Sequence, residues 1–411
     1  MRVRVSGPHW IVAGYRSMLT YDDALETMLA AATALGHEEV PTGEAAGRYL
    51  AQDISAQIDS PRADVSAMDG YAVRMDAARD SLWLEVVGES AAGQPYPEAI
   101  APGQAVRIFT GAHVPRGADC VVMQEYAERE GGRVRFREGF GPARHIRKRG
   151  SDFEKGATLL SAGQRLTPGA VVTLAGADVG SVCVGKRPRV AIIATGDELE
   201  QPGEAHNSEH SVPESGSYGV AAMAREAGAM IVQQIRGRDD LQTLQHLAIR
   251  ALEVADCVVV IGGASVGDHD LARPMFEGTD LHEHFAKVAI KPGKPVWFGT
   301  AGDKAVLGLP GNPTSALVTA RLFLRPLLAA LQGGIGAQEV RFLPQIVAAA
   351  LPANGTRETF TRACSSERGL VPATNQESGA QAPLVTSDWL IRRAPDTGPL
   401  EAGERVSAIL F

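Results

Sequence analysis

Two runs, Val190–Ala194 and Cys257–Ile261, are apolar at every position and rich in β-branched residues. A strand with no polar alternation must be covered on both faces, which an all-antiparallel surface sheet cannot do. The segments around these runs read as amphipathic helices: YGVAAMAREAGA from Tyr218, LQTLQHLAIRALEVA from Leu241, and a long apolar one ending RLFLRPLLAAL. A further strand pattern, AMIVQQIRG, follows the first of these helices. Strand and helix alternate from 188 to 333, which predicts a central, doubly wound, mostly parallel α/β domain.

The chain has 411 residues, too many for one ordinary domain, and its 45 Gly and 24 Pro break the remainder into short pieces. A helix begins at Thr20-Tyr21-Asp22-Asp23, with Thr20 as the cap and two acids in the first turn. A second helix or strand is expected over GEAAGRYLAQDISAQ. Residues 63–149 alternate short β-rich runs with Gly/Pro turns and read as a β-rich domain. Strands and a helix, TPGAVVTLAGADVG, occupy 155–186, and β-like runs return over 334–411 as a small C-terminal barrel or sheet. The first 17 residues read as an extension without a signal-peptide core, and no uninterrupted apolar run is long enough for a membrane span. A cytoplasmic location is therefore the expectation. The four cysteines (Cys120, Cys183, Cys257, Cys364) form no CxxC pair and are expected to be small buried hydrophobes. The net charge of −8 excludes a nucleic-acid polymer as the main partner.

In an open parallel sheet, ligands bind outside the carboxyl ends of the strands. Thr195-Gly196-Asp197-Glu198 follows one strand, Asp239-Asp240 another, and Gly262-Gly263-Ala264-Ser265-Val266-Gly267-Asp268-His269-Asp270 a third. Lys291-Pro292-Gly293-Lys294-Pro295 and Pro310-Gly311-Asn312-Pro313-Thr314-Ser315 follow two more. Gly262, Gly263 and Gly267 permit close backbone approach to a ligand. Lys291 and Lys294 suit a tetrahedral anion, and Thr314 or Ser315 can cap a helix or bind an oxyanion. Glu198, Asp239 and Asp270 are hard oxygen donors of the kind Mg²⁺ takes one or two at a time beside phosphate. The set predicts a magnesium-bridged phosphate ester with a second anion nearby. Gly263–Gly267 also fits GxSxG, which makes an α/β-hydrolase using Ser265 a rival, with Asp280 and His282 or His284 behind it. The sheet continues after those residues instead of ending before them, which argues against that reading. The basic run Arg144–Gly150 reads as a solvated surface or the neighbour of an anion.

The strings ADVSAMDGYAV (63–73), RIFTGAHVPRGADCVVMQE (107–125), IRKRGSDFEKG (146–156), RVAIIATGDEL (189–199), GGASVGDHD (262–270), AIKPGKP (289–295) and GLPGNPTSA (308–316) occur in this order. Together they resemble the molybdopterin molybdenumtransferase family, the bacterial relatives of the gephyrin E domain, over residues 18–411. The resemblance implies Mg²⁺-dependent insertion of molybdate into adenylylated molybdopterin with release of AMP. It implies that Glu198, Asp239 and Asp270 lie near magnesium and nucleotide. Lys287, Lys291, Lys294 and Ser315 would serve the molybdate and phosphate side, with Pro310 and Pro313 shaping the floor. Thr195, Gly196, Gly262, Gly263, Ser265 and Gly267 would complete the ligand loops.

Asp64, Thr110 and Asp152 would reach the site of a partner subunit, making the protein a homodimer, while Asp69 and Tyr71 would be architectural. The implied fold has an extended, discontinuous dimerisation domain (18–62 plus 150–187), a β-rich domain (63–149), the α/β domain (188–333) and a C-terminal β-barrel (334–411). The upstream adenylyltransferase and apo-molybdoenzymes are further partners it suggests. The sequence departs from the family at Val65 and Gly216, where Asn is usual, and at Ala264, where Val is commoner. A non-catalytic molybdopterin-binding or scaffold protein on the same fold is the alternative, and tungstate in place of molybdate is open.

Overall fold

The computed structural model describes residues 18–80, 82–263 and 271–411. The expected N-terminal extension, and Ser265, Gly267 and Asp270, lie outside these. The first helix, Tyr21–Ala31 (α1), starts where the sequence places it: the Thr20 hydroxyl accepts the Asp23 amide at 3.2 Å. The described residues form two compact units, one of Glu39–Ala46 with Leu50–Cys183, the other of residues 18–38, Gly47–Tyr49 and Val184–Phe411.

In the first unit, a six-stranded sheet is built from Gly70–Val73 (β1), Leu84–Ser90 (β2), Gln104–Ile108 (β3), Cys120–Met123 (β4), Ala127–Glu130 (β5) and Arg133–Phe136 (β6), in the order β4-β1-β3-β2-β6-β5. Only β2 and β3 run parallel. Tyr71 packs inward at 2% exposure with the Arg107 guanidinium over its ring. In the same unit, Ile54–Ser55 pairs with Thr158–Leu160, and Ser60 bridges Phe153, so two distant stretches run side by side. Helix Pro168–Gly176 (α2) has Pro at its first turn and is capped by Thr167, whose hydroxyl accepts the Ala170 amide. Of the helix or strand expected over GEAAGRYLAQDISAQ, a short strand forms and no helix does. A 3-10 turn at Thr42–Glu44 and a left-handed Gly47 (φ +79°) break the stretch, and only the two-residue strand Ile54–Ser55 follows. The basic run is tied down within this unit by Arg144–Asp119, Lys148–Asp64 and Arg149–Asp59 ion pairs.

The second unit holds the α/β sheet. Its strands are Arg189–Thr195 (β7), Met230–Gly237 (β8), Cys257–Ile261 (β9), Leu281–Phe285 (β10), Trp297–Ala301 (β12) and Lys304–Leu309 (β13); Ile290–Lys291 (β11) lies between β10 and β12 in sequence. The sheet order is β8-β7-β9-β13-β12-β10. β8, β7, β9 and β13 are parallel, while β12 and β10 extend the edge antiparallel. Helix Gly216–Glu226 (α3) packs on one face, with Val220, Ala221 and Ala224 against Val190, Ile192 and Val259. Leu241–Val254 (α4) covers the other, with Leu244, Ala248 and Ala251 against Ile193 and Val258. Alternate residues of β7 and β9 thus enter opposite cores, which is why both strands are apolar throughout. The stripe of α1 is buried in the first of these cores.

The long apolar helix is Pro313–Thr319 (α5), a π turn at Ala320–Leu324, and Arg325–Leu331 (α6). Pro326 has no N–H for the Leu322 carbonyl four residues back. The Tyr21 hydroxyl donates to that carbonyl instead, at 3.3 Å. This helix is long and apolar enough to cross a bilayer, but 83% of its apolar window is buried in protein, as in a core helix.

Beyond it, Leu343–Ile346 (β14), Glu358–Ser366 (β15), Gly369–Pro372 (β16), Trp389–Arg393 (β17) and Arg405–Leu410 (β18) form a sheet ordered β11-β15-β17-β18-β14, with β16 also on β15. The Ala348 amide donates to the Leu370 carbonyl, so the end of β14 returns to β16 and the sheet curls on itself. All four cysteines are free; Cys120 and Cys257 are buried, but Cys183 and Cys364 are only partly so.

Asp256, 7% exposed, joins β7 to β9 by accepting from the Arg189 backbone amide, Nε and Nη2 at 2.9, 3.1 and 2.7 Å. Burial alone would raise its carboxyl pKa, but the Arg189 hydrogen bonds and charge outweigh that and hold it below the usual value. A depressed folded pKa contributes stability above the unfolded pKa of about 3.9, and that stability is lost as pH falls through the folded value. Asp256→Asn should therefore cost about 2 kcal/mol at pH 7. The difference should shrink toward zero below the folded pKa, as urea denaturation across pH will show.

Candidate active site

β7, β9 and β13 end level: Ala194 pairs with Ile261 and Ile261 with Leu309. Their following loops therefore converge on one edge. There Thr195, Gly196, Glu198, Asp239, Gly262 and Gly263 line a cleft of about 650 Å³. Gly262 has φ +100°, and a Cβ there would sit 2.6 Å from the Thr195 carbonyl oxygen, so this turn admits only glycine. The Glu198 carboxylate folds back over Gly196, 2.8 Å from where a Cβ would lie. The Asp239 amide donates to Asp197 at 3.0 Å, fixing one acidic loop against the other. Thr195 is 5% exposed, and among the described residues its hydroxyl, buried beside the glycine turn, has no hydrogen-bond partner. A buried hydroxyl without a partner is uncommon and points to a polar ligand group or water at this turn.

A second cleft, of about 930 Å³, adjoins it and shares Pro295, Pro310, Asn312 and Gly379 with the first. Lys291, Lys294 and Arg357 line it, with Ser315 at its inner side, 3% exposed. Among the described residues neither lysine makes an ion pair. The lysine loop crosses the α5 helix so closely that a Cβ on Gly293 (φ +107°) would meet Thr319 Cγ2 at 2.2 Å. The strand before the lysine loop, β11, does not belong to the parallel sheet; it pairs with β15 of the C-terminal sheet, Ile290 to Glu358. Pro313 opens α5 and lines the acidic cleft, as Pro310 lines both.

Lys287 is exposed and lines neither cleft. Asp64, Thr110 and Asp152 lie in the other unit. Asp64 accepts from Lys148 Nζ at 2.6 Å and the Arg149 amide at 3.0 Å, and the Lys148 hydrogen bond keeps its carboxyl below the usual range. The Thr110 amide and hydroxyl both donate to Asp69, at 2.7 and 2.8 Å. Asp152 accepts from the Ser60 hydroxyl at 3.4 Å.

Glu214, which sequence reasoning missed, is 6% exposed, lines the acidic cleft and caps α3 by accepting the Ser217 amide at 2.8 Å. Gly216 leaves room beside it: a Cβ there would already approach Ile261 Cγ2 to 3.3 Å. Also missed were Arg357 and the segment Thr374–Gly379, which come from beyond the α/β domain and carry no motif. For the hydrolase rival, His284 bonds Thr300 Oγ1 at 3.0 Å and stacks on Phe298, on the edge strand β10.

Among the described residues no cluster of three His, Cys, Asp or Glu side chains could hold a metal. Glu198 and Asp239 on one cleft nevertheless fit Mg²⁺, which accepts one or two carboxylates and completes its shell with water and phosphate oxygens. Fold and site together define a multidomain protein on a molybdopterin-binding type of α/β domain, with an acidic and a basic cleft side by side. Three family descriptions match: "MoeA N-terminal region (domain I and II)" over 19–177, "Probable molybdopterin binding domain" over 191–330 and "MoeA C-terminal region (domain IV)" over 345–411. The chain belongs to the molybdopterin molybdenumtransferase (MoeA) family. It is 38% identical over 318 residues to molybdopterin molybdenumtransferase of Haemophilus influenzae, covering 77% of this chain and 78% of that one. It is 36% identical to the Nostoc sp. protein of the same name over 337 residues, covering 79% and 76%. The crystal structure of the molybdopterin biosynthesis moeA protein from Pyrococcus horikoshii OT3 superposes with a TM-score of 0.82 at 27% identity, covering 96% of this chain and all of that one.

Proposed function

We propose that this protein carries out the molybdenum-inserting step of molybdenum cofactor biosynthesis, transferring molybdenum from molybdate to adenylylated molybdopterin and releasing AMP. The observation that carries this is the pairing of an acidic, glycine-floored cleft with a lysine-lined one across a shared wall. A phosphoanhydride suits the first and a tetrahedral oxyanion the second. Glu198 and Asp239, with Asp270 from outside the described residues, would hold Mg²⁺, which would offset phosphate charge during cleavage of the anhydride. Thr195, Gly196, Gly262 and Gly263 present backbone and hydroxyl groups to the nucleotide side; Ser265 and Gly267 would extend that loop. Lys291, Lys294 and Ser315 hold the oxyanion, Lys287 adds to the positive field, and Pro310 and Pro313 shape the floor. Positioned charge, with no covalent nucleophile, does the chemistry.

The rest of the reading is a cytoplasmic homodimer in which Asp64, Thr110 and Asp152 approach the partner's clefts. Handover would involve the adenylyltransferase upstream and apo-molybdoenzymes downstream. The test is to mix protein, adenylylated molybdopterin, Mg²⁺ and molybdate, and follow AMP and cofactor. No AMP from the folded protein would instead favour a binding or scaffold role. Glu198→Gln should raise the Mg²⁺ needed for half-maximal AMP release about fivefold, the loss of one charged ligand among several. Parallel titrations with molybdate and tungstate decide the oxyanion.

A further inference from the structure

Arg362 lies in the middle of β15 and is 1% exposed, one of the largest fully buried side chains in the molecule. Among the described residues no carboxylate pairs with it. Its guanidinium instead donates to three backbone carbonyls: Nη1 to Ala380 at 3.0 Å, and Nη2 to Asn375 and Glu377 at 2.9 and 3.2 Å. Its backbone grips the same segment. The Arg362 amide donates to Gln376 Oε1 at 3.1 Å, and its carbonyl accepts from Gln376 Nε2 and the Ala373 amide, both at 2.8 Å. Burial pulls the guanidinium below the usual arginine range. A buried cation held only by carbonyls is costly to desolvate, so the hydrogen bonds it makes are the reason for its place on this strand.

What those bonds hold is irregular chain: residues 373–381 contain no helix or strand. This segment is the wall of both clefts, with Thr374–Gly379 on the lysine side and Gly379 and Gln381 on the acidic side. Three further bonds tie it to the loops of the α/β domain. Thr314 Oγ1 donates to the same Ala380 carbonyl at 2.8 Å, Asn312 Nδ2 to Ser378 Oγ at 2.9 Å, and Ser215 Oγ to Gln381 Oε1 at 3.1 Å. The Ala380 carbonyl thus joins Arg362 in one layer to the helix start in the other.

We infer that Arg362 is a positioning residue: it fixes segment 373–381 as the common wall and so sets where the oxyanion sits relative to the nucleotide. It touches neither ligand. The kinetic part of this rests on the molybdenum-inserting reading above; the structural part does not. The test compares wild type with Arg362→Met, which keeps the stem and removes the donors, and Arg362→Lys, which keeps charge but offers a compact ammonium in place of the fork. Amide hydrogen exchange should rise at least tenfold in 373–381 of the Met variant and stay within twofold in β7 and β9. Half-saturating molybdate should rise about tenfold with kcat changed less than threefold, and the Lys variant should recover part of both. Unchanged exchange in 373–381 and unchanged molybdate dependence would overturn the inference. So would a fall in kcat alone with the wall still protected. If the Met variant does not fold, the Lys variant carries the same two readouts and must show both. If wild type releases no AMP, the functional reading fails while the exchange result still decides what Arg362 holds.

Discussion

Lys294→Ala is expected to raise the molybdate concentration for half-maximal AMP release by roughly 10- to 100-fold, the loss of one charge-assisted hydrogen bond to an oxyanion. The dependence on adenylylated molybdopterin should move less than about threefold. The asymmetry follows from position: Lys294 lines the basic cleft and is absent from the acidic one. The backbone around it is anchored independently, with the Val288 amide on the Lys294 carbonyl and the Val296 amide on the Gly293 carbonyl. Truncating the exposed side chain should therefore leave stability within about 0.5 kcal/mol. Steady-state AMP release with each substrate varied in turn makes the distinction. Equal weakening for both would mean that Lys294 serves the nucleotide as well and that the two clefts are one subsite.

Gly262→Ala should damage both stability and turnover. The new Cβ would lie 2.6 Å from the Thr195 carbonyl oxygen and 2.9 Å from its hydroxyl, at φ +100°. Backbone strain and overlap together should cost about 2–4 kcal/mol of stability. The loop must move, and a displacement of about 1 Å at a reacting centre costs on the order of a hundredfold in rate. Thermal denaturation and single-turnover AMP release measure the two effects. A folded Gly262→Ala protein with near-normal turnover would remove the glycine turn from the ligand floor. Gly302, which lies in an open turn, is the control: an alanine there has nothing within 4 Å and should cost only the strain of φ +58°.

Much of the acidic cleft was legible in the chain. Apolar strands with no alternation require a two-sided sheet, and a parallel sheet forces its carboxyl-end loops together, so Thr195, Glu198, Asp239 and Gly262 could be grouped without coordinates. The lysine loop was legible as chemistry and misplaced as structure. A two-residue strand such as Ile290–Lys291 carries no periodicity, and which sheet it joins depends on the distant Glu358 and Thr359. Thr110 shows a similar limit. It was singled out by the resemblance alone, and no local pattern shows that its amide and hydroxyl both donate to Asp69, 41 residues away in sequence.

By itself, the sequence determined the layer type, the capped start of α1, the glycine turns and the family, because each depends on local spacing and residue type. Only the tertiary structure decided that residues 373–381 wall both clefts, that Arg362 holds them there, and that Glu214 is buried beside the acidic loop. The physical reason is the same in each case. These groups are placed by hydrogen bonds to backbone carbonyls and amides, and backbone groups are identical at nearly every residue. A side-chain pattern can announce a helix face or an anion loop; it cannot announce which of many equivalent carbonyls a buried guanidinium will reach.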